Sequence, residues 1–127
     1  MFHTTEDIRI QWIKVVLPPA FLEEEFPISE TASNTVFETR KQINGILKGT
    51  DDRLLVLAGP CSIHDPKAAR EYGCLIKKAI EEFSQDLCIV MRVYFEKPRT
   101  IVGWKGLIND PQLDQSYKIN EGLRIAT

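Results

Sequence analysis

Two short apolar runs bracket one amphipathic segment, and that arrangement leaves few folds open to this chain. Leu54-Leu55-Val56-Leu57-Ala58 is apolar without alternation, as expected of a strand covered on both faces. Residues 67–83 carry Ala69, Tyr72, Ile76, Ile80 and Phe83 at helical spacing, with Arg70, Lys77, Lys78 and Glu81 free to face water. Residues 87–95 read as a second strand. Strand, helix, strand with short links is a βαβ unit, so the fold class is α/β with parallel, adjacent strands. The segments that follow the two strands then emerge at the same sheet edge, where α/β enzymes place their sites.

The flanking regions are less regular. Within residues 1–27, Ile8, Ile10, Trp12, Ile13, Val15, Val16 and Leu17 recur at mixed spacings, which leaves strand and short helix both open until Pro18-Pro19 ends the segment. Glu23, Glu24 and Glu25 read as a solvated face. Ser29 is a good helix cap, with Glu30 favourable at the N-terminal dipole and Ala32, Val36, Ile43 and Leu47 near one face. Gly49 suits the stop, and Gly45 weakens the last turn. Residues 96–119 are loop-rich, and Asn120 looks like the cap of a helix still in progress at residue 127.

Composition excludes several classes. At 127 residues and 43% hydrophobic the chain can bury a core and is no disordered tail. With 16 Lys and Arg against 18 Asp and Glu, the net charge of −2 lacks the basic excess of a nucleic-acid binder, so no nucleic-acid partner is expected. No apolar run approaches the roughly 18 residues of a span, so no membrane role is expected either. Glu6 and Asp7 fall where a secretory signal would be apolar. Cys61, Cys74 and Cys88 are too few for a disulfide framework, which points to a cytoplasmic chain with reduced thiols. Cys74 and Cys88, inside a helix and a strand, are expected in the core.

Two segments at the shared edge can carry chemistry. In Gly59-Pro60-Cys61-Ser62-Ile63-His64-Asp65-Pro66, Cys61 and His64 stand three residues apart. A thiolate and an imidazole suit a divalent transition metal. A Cys–His nucleophilic pair is the rival chemistry, and a packed thiol beside a turn histidine is the plain structural reading. The second segment, RVYFEKPRTIVGWK (92–105), sets Arg92, Lys97, Arg99 and Lys105 against Glu96 alone. A guanidinium on a buried strand costs several kcal/mol unless a counter-charge compensates. Either a ligand phosphate or carboxylate, or a protein carboxylate, would provide one. Tyr94, Phe95 and Trp104 fit core packing better than base stacking. A metal ligand and a polyanion-binding cluster at one sheet edge suit an enzyme acting on small phosphorylated substrates.

At these segments the chain resembles a known family. LLVLAGPCSIHDP (54–66), IVMRVYFEKPRT (89–100) and VGWKGLINDP (102–111) are similar to the type I 3-deoxy-D-arabino-heptulosonate 7-phosphate synthases, and the likeness runs from Asp7-Ile8-Arg9 to Gly122-Leu123-Arg124. The resemblance implies a (β/α)8 TIM barrel behind an N-terminal extension. It implies condensation of phosphoenolpyruvate with erythrose 4-phosphate and water, releasing phosphate, at the first step of the shikimate pathway to aromatic amino acids. Cys61 matches the metal-binding cysteine, for an ion of the Mn, Fe, Co or Zn class. Arg92 and Lys97 match phosphoenolpyruvate-binding positions, with Lys97 the catalytic one. Lys97, Pro98, Arg99 and Thr100 match the segment that holds the erythrose phosphate. His64 and Asp65 are supporting residues of the metal loop. Residues 1–48 would be a regulatory and oligomerisation extension, with Glu6 and Asp7 near the site of an aromatic amino-acid feedback inhibitor, and the complete enzyme a homo-oligomer. Residues 49–127 would begin the catalytic barrel.

A barrel of this kind takes about 250 residues. This chain offers only two barrel-type strands, and the family's other metal ligands, a His, a Glu and an Asp, lie on later ones. The expectation is therefore a partial sequence of the enzyme. The alternative is a non-catalytic truncated fragment acting as an interaction or regulatory module.

Overall fold

A computed structural model describes residues 6–10, 12–97 and 102–127. Its elements are α1 (Pro19–Glu25), α2 (Glu30–Leu47), β1 (Leu54–Ala58), α3 (Pro66–Glu82), β2 (Leu87–Met91) and α4 (Ile119–Ala126). The two strands pair in parallel, from Leu54 opposite Leu87 to Ala58 opposite Met91, with α3 as the crossover. The βαβ unit is thus present and the α/β class holds.

Local chemistry explains the boundaries. Ser29 Oγ accepts the Ala32 amide at 3.2 Å, capping α2. The helix runs through Gly45 to Leu47, and Gly49 follows it with φ +72, the left-handed stop that glycine adopts without steric cost. Asp65 caps α3 by accepting the Lys67 amide at 2.8 Å, and Pro66 takes the first turn, where its missing N–H costs nothing. In the N-terminal region α1 forms after Pro18, while the apolar residues 12–18 join neither helix nor strand. The three glutamates of α1 and its end are exposed, as a solvated face requires, although Glu25 also pairs with Arg124 of α4 at 2.8 Å.

Several expectations need correction. β2 ends at Met91, four residues short of the expected 95, because β1 ends at Ala58 and leaves residues 92–95 without a strand to pair with. Arg92 N–H to the Ala58 carbonyl, at 2.7 Å, is the last rung. β1 is not covered on both faces among the described residues: Leu57 is 68% exposed. Cys88 and Leu57 share a face by alternation and register, and α2 packs on that sheet near Cys88, whose Sγ lies 3.7 Å from Gln42 Oε1, without burying Leu57. Cys88 is buried as expected, but Cys74 is exposed. The half-buried stripe of α3 runs through Pro66, Ala69, Tyr72, Gly73, Ile76 and Ala79, and Cys74 stands one helical step beyond it. Ile80 and Phe83, expected on the apolar face, continue the stripe by spacing but are exposed at 40% and 44%, Phe83 being the residue that ends α3.

Asn120 is not a cap either. Lys118 holds that position, and the Asn120 amide instead accepts from Leu17 N at 2.9 Å and donates to the Val15 carbonyl at 3.0 Å. It therefore fastens α4 to the irregular N-terminal segment. The deepest apolar side chains are Leu22, Ile63, Cys88 and Leu107, so two of the four belong to loops at the carboxyl edge of the sheet.

Candidate functional site

The parallel register brings the 59–65 loop and the 92–97 segment out of the same sheet edge. Hydrogen bonds then lace them together. The Ile63 amide donates to the Tyr94 carbonyl at 2.8 Å. Arg92 Nη1 donates to the carbonyls of both Pro60 and Cys61 at 2.7 Å, and the guanidinium carbon sits 4.9 Å from the Tyr94 ring centre. Gly59 makes this approach feasible: a Cβ there would collide with the Arg92 carbonyl oxygen and lie 2.8 Å from Arg92 Cβ.

Arg92 is thus neither buried in a strand nor paired with a protein carboxylate. It lies just past the end of β2, exposed, where water or a ligand reaches it without the desolvation cost of a strand interior. Two backbone carbonyls hold one of its nitrogens, while Nε and Nη2 have no acceptor among the described residues. Such an arrangement is chemically able to present two N–H groups to an anion.

Cys61 is an exposed free thiol in the same loop. His64 is exposed and lines a cleft of about 360 Å³ with Gly59, Ser62, Asp65 and Tyr72 among its neighbours. Asp65 is exposed, and its side chain caps α3. Among the described residues no three His, Cys, Asp or Glu side chains converge as a metal cage. The donors present therefore fit one ligand position of a metal centre, the Cys61 thiolate, and not a complete one.

A second antiparallel contact braces the far end of the basic segment. Glu96 bridges Gly106, flanked by Lys97 N–H to the Lys105 carbonyl and Leu107 N–H to the Phe95 carbonyl, both 2.9 Å. Asn109 Nδ2 donates to Glu96 Oε2 at 2.9 Å. Trp104 Nε1 donates to the Asp110 carbonyl at 2.7 Å, and Phe95 and Trp104 are half-buried, as packing residues should be. Tyr94 is more open and carries Arg92. Lys97 is half-buried at the end of this braced stretch. Pro98, Arg99 and Thr100 lie outside the described residues. Glu6 and Asp7 are both exposed, with Asp7 at φ 54 in a turn closed by Ile10 N–H to its carbonyl at 2.8 Å.

Two contributors escaped sequence reasoning. Asn109 looked like part of a loop, and only its place in VGWKGLINDP, opposite the single acid of the basic segment, hints at its partner. Arg92 was legible as a candidate anion ligand but not as the link to the Cys61 loop, because no sequence pattern shows a side chain meeting distant carbonyls. No helix among the described residues is long and apolar enough to cross a membrane.

Comparison with known proteins places the chain among related sequences and structures. A phospho-2-dehydro-3-deoxyheptonate aldolase, Phe-sensitive, from Escherichia coli (strain K12) is 61% identical over 126 residues, which is 99% of this chain and 36% of that protein. The tyrosine-inhibited aldolase of Schizosaccharomyces pombe is 49% identical over 95% of this chain and 32% of its own length. A solved phospho-2-dehydro-3-deoxyheptonate aldolase from Francisella tularensis SCHU S4 superposes with a TM-score of 0.87 at 53% identity, over 92% of this chain and 34% of that one. The chain thus spans about a third of the length of the relatives it matches. The model of the DAHP synthetase I family matches residues 19–127, and the chain belongs to that family.

Proposed function

We propose that this chain contributes the N-terminal third of a 3-deoxy-D-arabino-heptulosonate 7-phosphate synthase, a cytoplasmic transferase that joins phosphoenolpyruvate to erythrose 4-phosphate with water and releases phosphate. The observation that carries the reading is the Arg92 guanidinium held 2.7 Å from the Cys61 carbonyl, which sets an anion-binding fork beside a soft thiol donor. The names of the relatives, Phe-sensitive and tyrosine-inhibited among them, support an aromatic amino acid as feedback inhibitor. In this reading residues 49–127 begin a (β/α)8 barrel, and residues 1–48 are the regulatory and oligomerisation extension, with Glu6 and Asp7 at the inhibitor.

Arg92 keeps Nη1 on the loop carbonyls and offers Nε and Nη2 to the phosphate or carboxylate of phosphoenolpyruvate. Lys97 adds a second cation to the same substrate, and neutralising its charges lets the electron-rich C3 approach a second phosphorylated molecule. Pro98, Arg99 and Thr100 hold the erythrose phosphate. Cys61 would hold a divalent ion through its thiolate, which when bound polarises the aldehyde. Among the described residues no three such donors converge to complete the centre.

The test is product formation and phosphate release by the full-length enzyme from the two substrates. Arg92→Ala is expected to lower kcat/KM for phosphoenolpyruvate by roughly 10- to 100-fold, the scale of losing a charged hydrogen-bonding partner. An Arg92→Ala enzyme with unchanged kcat/KM would remove Arg92 from the site. Absence of turnover in the wild type would favour a binding module.

A further inference from the structure

The basic segment contains one acid, and the structure shows what occupies it. Glu96 lies next to Lys97 and between Arg92 and Lys105 in sequence, so a carboxylate free to swing would neutralise the cation that the substrate needs. It does not pair with Lys97: among the described residues Glu96 takes part in no ion pair, and its Oε2 accepts from Asn109 Nδ2 at 2.9 Å. The backbone around it is fixed by the two 2.9 Å bonds that flank the Glu96–Gly106 bridge. With its carboxylate held by Asn109, Glu96 is not drawn toward the adjacent ammonium.

We propose that Asn109 is a positioning residue for Lys97: its amide sequesters the Glu96 carboxylate, leaving the Lys97 ammonium available to the anionic substrate. The amide suits this task because it donates without charge, so the cation count of the segment is unchanged. Asn109 itself sits in a buried neighbourhood, between Leu107 at 1% exposure and Asp110 at 4%, whose amide donates to the Gly106 carbonyl at 3.0 Å. The acceptor is thus offered a donor on a stiff loop. The proposal rests on Lys97 being the phosphoenolpyruvate-binding lysine.

The experiment is a double-mutant cycle in the full-length enzyme, read as KM and kcat for phosphoenolpyruvate at saturating erythrose 4-phosphate, with Tm recorded for every variant. Asn109→Asp sets two carboxylates against each other and is expected to raise KM on the order of tenfold, with kcat and Tm close to wild type. Glu96→Gln still accepts from Asn109 and is expected to stay near wild type. Combining Asn109→Asp with Glu96→Gln restores a hydrogen bond of reversed polarity and is expected to return KM to near wild type. Should Asn109→Asp fail to fold, Asn109→Ser, which shortens the donor out of reach, is expected to show the same KM effect. Lys97→Met serves as the reference and raises KM by itself. If Lys97→Met raises KM while the Asn109 variants do not, or if the double variant is no better than Asn109→Asp, the positioning role is refuted and Lys97 stands. If Lys97→Met leaves KM unchanged, the reading of Lys97 fails and the proposal falls with it.

Discussion

Replacing Gly59 by Ala adds one methyl group to an exposed residue, a change that exposure alone would rate as harmless. The geometry says otherwise. The new Cβ would collide with the Arg92 carbonyl oxygen and stand 2.8 Å from Arg92 Cβ and 3.0 Å from Arg92 N. None of these atoms is the tip of a flexible side chain, so the end of β1 must move away from residue 92. Overpacking of this kind costs about 1–3 kcal/mol. The 2.7 Å bond from Arg92 N–H to the Ala58 carbonyl is the nearest rung, and losing it adds roughly 1 kcal/mol. The total is about 2–4 kcal/mol. Gly73→Ala is the control: its Cβ would meet only Met91 Sδ at 3.7 Å, an ordinary contact, and Ala gains up to about 1 kcal/mol of helix propensity. The assay is denaturant unfolding of the full-length enzyme, with KM for phosphoenolpyruvate measured alongside. Gly59→Ala is expected to lower the midpoint and raise KM, because the displaced backbone carries the Arg92 guanidinium with it. Gly73→Ala is expected to be neutral or stabilising. Equal stability of Gly59→Ala and wild type would refute the close-approach argument.

Other tests probe separate contacts. Asn120→Ala removes both bonds that tie α4 to Val15 and Leu17, and is expected to speed amide exchange at residues 15–18 more than at β1, as seen by hydrogen exchange mass spectrometry. Uniform acceleration would count against a local clamp. The Arg53 guanidinium, hydrogen-bonded to Asp51, holds its carboxyl below the ordinary 3.8. A depressed carboxylate stabilises fully above its unfolded-chain value of about 3.9, and that contribution is lost as pH falls through the lower folded value. The stability gap between wild type and Asp51→Asn should therefore be constant near neutrality and close as pH drops below 3.8. A gap that widens in acid would contradict the assignment.

How much of this was legible depended on whether the signal was local. The βαβ unit could be read because strand, cap and helix are written in adjacent residues: the apolar run before Gly59, then Asp65-Pro66 opening α3 with a side chain two residues from the amide it accepts. The segments that follow the strands could be placed together because parallel pairing puts them there whatever their composition. Nonlocal partners were not legible. Asn120 carries a cap residue's chemistry and spends it on backbone groups 103 and 105 residues away. The length of β2 was overestimated because Val93, Tyr94 and Phe95 keep strand propensity after their partner has turned off at Gly59. Cys74 was misplaced because a helix interior was equated with a core, whereas one step around α3 is enough to leave the packed stripe.

The same locality bears on how the proposed binding edge would work. A guanidinium recruited from solvent loses rotamer freedom each time it binds an anion, on the order of 2 kcal/mol for so long a side chain. Arg92 meets part of that cost during folding, since its Nη1 is already committed to the Pro60 and Cys61 carbonyls and its plane lies near the Tyr94 ring. Anion binding at Nε and Nη2 would then require little further ordering. The same two carbonyl bonds draw the Cys61 loop to the arginine, so any substitution that frees the side chain should also loosen the thiol. Arg92→Lys keeps the charge, but its single ammonium cannot hold two carbonyls and still present a fork. It should therefore increase the rate at which Cys61 reacts with a disulfide reagent in the metal-free enzyme, alongside its loss in phosphoenolpyruvate affinity. A variant that lost affinity with Cys61 reactivity unchanged would show that the two loops hold their positions without the arginine.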